Sequence, residues 1–139
     1  MIKRTFYVLF CILSLGFGGL IYVLFRPNAI VSEIVTSLFP FFESLSKTVQ
    51  DFNCIFIKYY FPDYLWAFSL ICGLNAIFNS SKKIHTNALV VLLLGFLWET
   101  GQIFDIFSGT GDIIDILMYL AAVVTVVSVE KTYQKGVKK

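Results

Sequence analysis

Polar and acidic side chains interrupt the apolar stretches in the last part of the chain. Glu99 and Gln102 lie three residues apart within GFLWETGQIF. They are followed, at positions i, i+3 and i+7 of the next apolar stretch, by Asp112, Asp115 and Tyr119. Residues three or four apart share a face of a helix, so each set predicts one polar stripe. An acid within a membrane-spanning helix costs roughly 2.5–3.5 kcal/mol and more often marks function, which makes Glu99 the strongest candidate.

The two stripes face each other if their helices are antiparallel and joined by a short turn. Counting inward at ~1.5 Å per residue then pairs Glu99 with Tyr119. The same count pairs Gln102 with Asp115. Asp63 and Trp66 of the second predicted span lie at similar depths in the membrane. The predicted ligand-binding residues of this outward-facing pocket are Asp63, Trp66, Glu99, Gln102, Asp112, Asp115 and Tyr119, with Asp105 also on its lining.

Each acid also has a structural explanation. Asp112 and Asp115 can cap the start of a helix, where a carboxylate favours the positive end of the dipole, and this explanation is as strong as a functional one. Asp63 and Asp105 lie at the predicted water interface, where an acid needs no special role. Glu99 can tie two helices together as a neutral carboxyl, but its position within a span favours function.

The predicted pocket supports three kinds of chemistry. The interpretation that we rank first is non-enzymatic binding of a lipid headgroup, an envelope precursor or an amphiphilic glycopeptide, which needs no cofactor. A metal-dependent enzyme could hold Mg²⁺ on these carboxylates against a lipid-linked phosphate, although the pocket lacks the Arg or Lys that usually clamps phosphate. A small cation or metabolite transporter could use Glu99 to carry protons, and four short spans would form such a machine as a homo-oligomer.

The composition predicts the environment of this site. Of the 139 residues, 58% are hydrophobic and 14% are charged, whereas a soluble domain is about 25% charged. An aromatic content of 17% with few charges is the opposite of a disordered chain. A net charge of +2 without a basic stripe excludes nucleic acid as the expected partner. We therefore expect an all-α membrane protein in which residues 1–139 form a single membrane domain.

Four apolar stretches are long enough for transmembrane helices of ~20 residues. Between the first and second of them, apolar residues recur every three or four positions, which predicts an outer amphipathic helical segment broken near Pro40. This segment lies on the outer leaflet or caps the bundle. The predicted spans are residues 5–25, 62–79, 87–107 and 112–129, and the amphipathic segment is residues 28–61.

The distribution of Lys and Arg predicts the orientation. With the N-terminus inside, the inner segments hold eight of these residues and the outer segments hold three. This asymmetry predicts cytoplasmic termini, because cytoplasmic loops carry the excess of basic residues. Membrane lipid is the expected partner.

The stretch WETGQIFDIFSGTGDIIDILMYLAA resembles the VanZ-like family of small bacterial membrane proteins. The family signature begins with a Glu and a Gln three apart, which match Glu99 and Gln102. A polar turn follows, then an acid early in the next span, which matches Asp115 or Asp112, and then small residues. The resemblance covers residues 63–129, although the turn lacks the arginine that the family usually carries.

The resemblance implies a multi-pass protein of the bacterial cytoplasmic membrane with a role in the cell envelope. The founding member of the family is associated with low-level resistance to teicoplanin. Tyr119 stands where the family has an Asn. The resemblance implies no particular reaction, and non-enzymatic binding ranks ahead of the metal-dependent enzyme, which stays open as the alternative.

The predicted orientation places Cys54 as the only thiol in an outer segment, since Cys11 and Cys72 lie in apolar stretches. A membrane-impermeant maleimide should therefore label the protein in intact spheroplasts, with labelling lost in Cys54→Ser. Labelling that persists in Cys54→Ser would show that the topology is wrong.

Overall fold

A computed structural model of the protein describes residues 2–26, 30–49, 54–78, 80–107, 109 and 111–137. The described residues form helices and turns without a strand, so the predicted all-α class is confirmed. The elements are α1 (Ile2–Phe25), α2 (Ile30–Leu38), α3 (Pro40–Val49), a π-helical turn (Phe56–Tyr60), α4 (Phe61–Ile77), α5 (Ser80–Ile103) and α6 (Ile113–Val137).

Three of these helices are long and apolar enough to cross a membrane. The spanning stretches are Lys3–Phe25 in α1, Lys82–Ile103 in α5 and Ile113–Gly136 in α6. Helix α4, in the region of the second predicted span, has 17 residues and is about 26 Å long. We call the end of the bundle where α1 ends and α4 begins the acidic end, after Asp63 and Asp112, and the opposite end the basic end, after Lys3 and Lys82.

Two predicted helix boundaries are wrong. The third predicted span begins at residue 87, but α5 begins at Ser80 and Asn87 is a buried residue inside it. Residues 80–87 contain no Gly or Pro that would interrupt a helix, so α5 extends beyond the apolar stretch. The same helix ends at Ile103 rather than at residue 107, because the chain turns at Asp105, whose φ is 55°.

Helix α4 occupies the centre of the bundle and packs against α1, α5 and α6. Its closest partner is α1, where small residues let the two backbones approach. The Ser69 hydroxyl donates a hydrogen bond to the Cys11 carbonyl at 2.9 Å, and a Cβ atom at Gly73 would lie 3.4 Å from the Cys11 sulfur. Lipid tails are as apolar as leucine, so close packing and interhelical hydrogen bonds hold such helices together.

Helices α2 and α3 are fastened to the end of α1 by two buried serines. Ser32 donates to the carbonyl of Tyr22 at 3.0 Å, and Ser46 donates to the carbonyl of Leu24 at 2.9 Å. These carbonyls lie in the last turn of α1, where a helix runs out of its own backbone donors. The Tyr22 carbonyl also accepts from the backbone N–H of Arg26 at 2.9 Å. The two helices are separated at Phe39, directly before Pro40, so the predicted break is confirmed.

On the exposed side of α3, Lys47 donates to the carboxylate of Glu43 at 2.7 Å. That hydrogen bond, with the charge of the ammonium group, lowers the pKa of Glu43 below its usual value. The pair lies one helical turn apart on a solvated surface, where such pairs add little stability.

A pair of buried amides joins α4 to α5 near the basic end. Asn87 donates to the side-chain oxygen of Asn75 at 2.7 Å. We expect Asn87→Ala to lower the free energy of unfolding by about 1 kcal/mol, as interhelical hydrogen bonds in membranes typically do. Thr86→Ala, one residue earlier and exposed, should leave the midpoint of thermal unfolding in detergent unchanged. Equal stability of both variants with the wild type would contradict a structural role for the amide pair.

Candidate functional site

Glu99 and Tyr119 form the buried centre of the candidate site. Each is 2% exposed, and the Tyr119 hydroxyl donates to Glu99 Oε1 at 2.6 Å. The backbone N–H of Asp112 donates to the second carboxyl oxygen, Oε2, at 3.2 Å. Both oxygens of Glu99 therefore have a partner, and the pairing predicted from helix depth is confirmed.

The approach of the Tyr119 ring to α5 depends on Gly95, one helical turn before Glu99. A Cβ atom at Gly95 would lie 2.4 Å from ring carbon Cδ2 of Tyr119. The Trp66 ring from α4 packs against the same phenol at 5.8 Å between centroids. Tyr119 is thus held between two helices, which positions its hydroxyl on the carboxyl of Glu99.

Asp63 of α4 lies beside the same hydroxyl, with its Oδ1 3.4 Å from Tyr119 Oη. A phenol has one proton, and the 2.6 Å contact to Glu99 is the one with the length of a strong O–H···O bond. The contact to Asp63 is therefore weak, and the Asp63 carboxylate keeps most of its capacity to accept hydrogen bonds.

Two other predicted acids have different environments. Asp112 accepts a hydrogen bond from the backbone N–H of Ile114 at 3.0 Å, so it caps α6 as its structural explanation predicts. Asp115 is half-buried, and its Oδ1 is a buried atom without a hydrogen-bond partner among the described residues. Asp105 lies exposed in the turn after α5.

The pairing of Gln102 with Asp115 by helix depth stays a prediction. The amide of Gln102 lies against Gly109, where a Cβ atom would be 2.5 Å from its Nε2. Gly109 is exposed and has a φ of 142°, a backbone conformation that residues with a side chain rarely adopt, so the Gln102 amide contacts a position that favours glycine.

A cavity of about 400 Å³ adjoins this centre between α1, α4 and α5. Asp63 and Trp66 are the predicted site residues that line it, whereas Glu99 and Tyr119 lie behind Trp66 and Asp63. One wall comes from α1, which the sequence analysis did not include in the site; its signal was the group of small residues around Gly18. The lining residues are Ser14, Leu15, Gly18, Gly19, Tyr22, Pro62, Asp63, Trp66 and Trp98.

A cation that the sequence analysis missed lies next to the cavity. Arg26, directly after α1, donates from Nη1 to the hydroxyl of Tyr22 at 3.1 Å, and Tyr22 lines the cavity. Its guanidinium also lies 4.5 Å from the centroid of the Tyr22 ring. Its Nε is a buried atom without a partner in the described part of the chain. The acidic end of this cavity, which we call its mouth, therefore combines the carboxylate of Asp63 with the guanidinium of Arg26.

Among the described residues, no group of three or more His, Cys, Asp or Glu side chains is arranged to hold a metal ion.

No protein-family model matches the chain, and no match was found to a curated protein or to a solved structure. The VanZ-like resemblance therefore depends on the residues quoted above and stays a prediction.

The packing of Tyr119 on Gly95 predicts opposite effects for two glycine substitutions. Gly95→Ala should lower the free energy of unfolding by about 1–3 kcal/mol, because the new methyl group displaces the phenol. Gly16→Ala should raise it by about 0.5–1 kcal/mol, because a Cβ atom there has nothing within 4 Å and alanine favours a helix. Thermal unfolding in detergent measures both, and stabilisation by Gly95→Ala would contradict the close packing.

Proposed function

We propose that the protein is a VanZ-like, multi-pass membrane protein of the bacterial cell envelope that binds the headgroup of an amphiphile and catalyses no reaction. In this proposal α4 also crosses the membrane, as the second of four spans, the acidic end faces outward and both termini are cytoplasmic. The asymmetry of basic residues supports the orientation. Helices α2 and α3 form the outer amphipathic segment, supported by the exposed apolar side chains of Leu38, Phe39 and Phe41 at their junction.

The observation that carries this proposal is the composition of the cavity walls. Towards the middle of α1 the lining consists of apolar and small residues, such as Leu15 and Gly19. At the acidic end it consists of Tyr22 and Asp63. An amphiphile has the same division, with an apolar chain and a polar head, so its chain fits along α1 while its head reaches Asp63.

The charges around the mouth favour a headgroup that carries both signs. The Asp63 carboxylate accepts hydrogen bonds, and a ligand ammonium group would supply both donors and a compensating charge. Arg26, held on Tyr22, offers a guanidinium that suits a phosphate. We therefore infer an aminophospholipid headgroup, in which an ammonium and a phosphate are linked by a short spacer.

Glu99 and Tyr119 act as positioning residues in this proposal. The Tyr119 hydroxyl donates its hydrogen bond to Glu99, so the side of the phenol oxygen that meets Asp63 provides no strong donor. The Asp63 carboxylate thus remains available to a ligand. An envelope precursor or an amphiphilic glycopeptide also combines a chain with a polar head, and such ligands are distinguished by competition.

The two tryptophans of the chain, Trp66 and Trp98, both line the cavity and report on its occupation. We expect phosphatidylethanolamine with brominated acyl chains, diluted into phosphatidylcholine vesicles, to quench their fluorescence more than brominated phosphatidylcholine at equal mole fraction. Asp63→Asn should weaken this preference about tenfold, as expected for loss of a charge-assisted hydrogen bond. Teicoplanin that relieves the quenching would identify the glycopeptide as a competing occupant.

A matched pair of glycines controls for general effects of substitution. Gly19→Leu places a side chain in the cavity and should abolish the preference for phosphatidylethanolamine. Gly16→Leu, one turn earlier on α1 and outside the cavity lining, should retain it; both positions have nothing within 4 Å of an added Cβ atom. Equal quenching by the two brominated lipids in the wild type would refute the proposed headgroup.

A further inference from the structure

A second cavity lies on the other side of α1, towards the basic end. It has a volume of about 380 Å³ and is bounded by α1, α4 and α6. Among the described residues, no Cα atoms of α1 and α6 approach within 8 Å, so side chains alone close this gap. The walls are largely apolar and include Phe6 and Phe10 of α1, Phe68 of α4, and Val126 and Val129 of α6. We call it the basic-end groove.

A buried ion pair forms one end of the basic-end groove. Glu130 of α6 is 1% exposed and accepts hydrogen bonds from Lys3, from Tyr7 at 2.5 Å and from Gln134 at 2.6 Å. Three donors satisfy the carboxylate, so it is compensated despite its burial. Lys3 also lies 5.1 Å from the centroid of the Tyr133 ring. These polar contacts join α1 to α6 at the end of the apolar groove.

The charges beside this end are positive in sum. Arg4 follows Lys3 on α1, and Lys131 follows Glu130 on α6; both are exposed. Three basic residues and one acid give a local charge of +2, from three positive charges minus one negative charge. Basic residues next to a span attract anionic lipid headgroups, at about 1 kcal/mol per residue near a membrane surface.

We propose that the basic-end groove binds a phospholipid with an anionic headgroup. One acyl chain lies between α1 and α6 against the phenylalanine side chains, and the phosphate lies at the Lys3 ammonium group. The phosphate at this end meets the positive charges of Lys3, Arg4 and Lys131 together. The bound acyl chain fills the space between α1 and α6. It makes van der Waals contacts with the side chains of the groove, which would have no such partners if the groove were empty.

Native mass spectrometry of the full-length protein tests this proposal, with the Gly19→Leu background used to fill the other cavity. We expect one molecule of phosphatidylglycerol to bind per chain, with about tenfold higher affinity than phosphatidylcholine, equivalent to about 1.4 kcal/mol. Val129→Trp should fill the groove and abolish this binding. Val124→Trp, also exposed on α6 but outside the groove lining, should not affect it.

A second variant separates the headgroup from the chain. Lys3→Met/Glu130→Gln removes both charges together, so no buried charge is left without its partner. It should reduce the preference for phosphatidylglycerol without abolishing it, because Arg4 and Lys131 remain. An unchanged preference would show that the Lys3 ammonium group does not bind the phosphate. Unchanged phosphatidylglycerol binding in Val129→Trp would overturn the site, and equal affinity for the two lipids in the wild type would overturn the anionic headgroup. Because the cavity at Asp63 is filled throughout, neither result depends on the function proposed for it.

Discussion

The hydrogen bond from Tyr119 to Glu99 is the interaction on which the acidic end depends. A carboxyl group buried between helices is costly unless its oxygens find donors, and lipid provides none. The Tyr119 hydroxyl and the backbone N–H of Asp112 supply both donors. These two contacts bring the start of α6 against the end of α5, and Gly95 provides the space that the phenol ring occupies.

The same constraint acts at the other end of the bundle with different residues. Glu130 is as deeply buried as Glu99, and its donors come from α1 and from its own helix. Helix α1 therefore packs along α4 through small residues, and it contacts α6 through the hydrogen bonds of Lys3 and Tyr7 with Glu130. Because α1 has no close backbone contact with α5 or α6 in the described part of the chain, a cavity remains on each side of it.

The two cavities differ in a way that follows from the charges beside them. The one towards the acidic end has Asp63 in its wall and Arg26 next to it through Tyr22. The basic-end groove ends at the ion pair of Lys3 with Glu130, in which the lysine compensates the acid. Arg4 and Lys131 lie beside this pair and add positive charge. The proposed ligands differ accordingly, with a headgroup of both signs at one end and an anionic headgroup at the other.

Helical periodicity and apolar length determined much of this protein from the sequence alone. The all-α class, the three long apolar helices, the break at Pro40 and the pairing of Glu99 with Tyr119 all follow from distances along single helices or across one short turn. The position of α1 does not, because it depends on which faces of distant helices pack together. Tyr22, Arg26 and Glu130 entered the candidate sites only through that packing. Local geometry is encoded over a few residues, whereas contacts between distant helices are decided by the fit of their side chains.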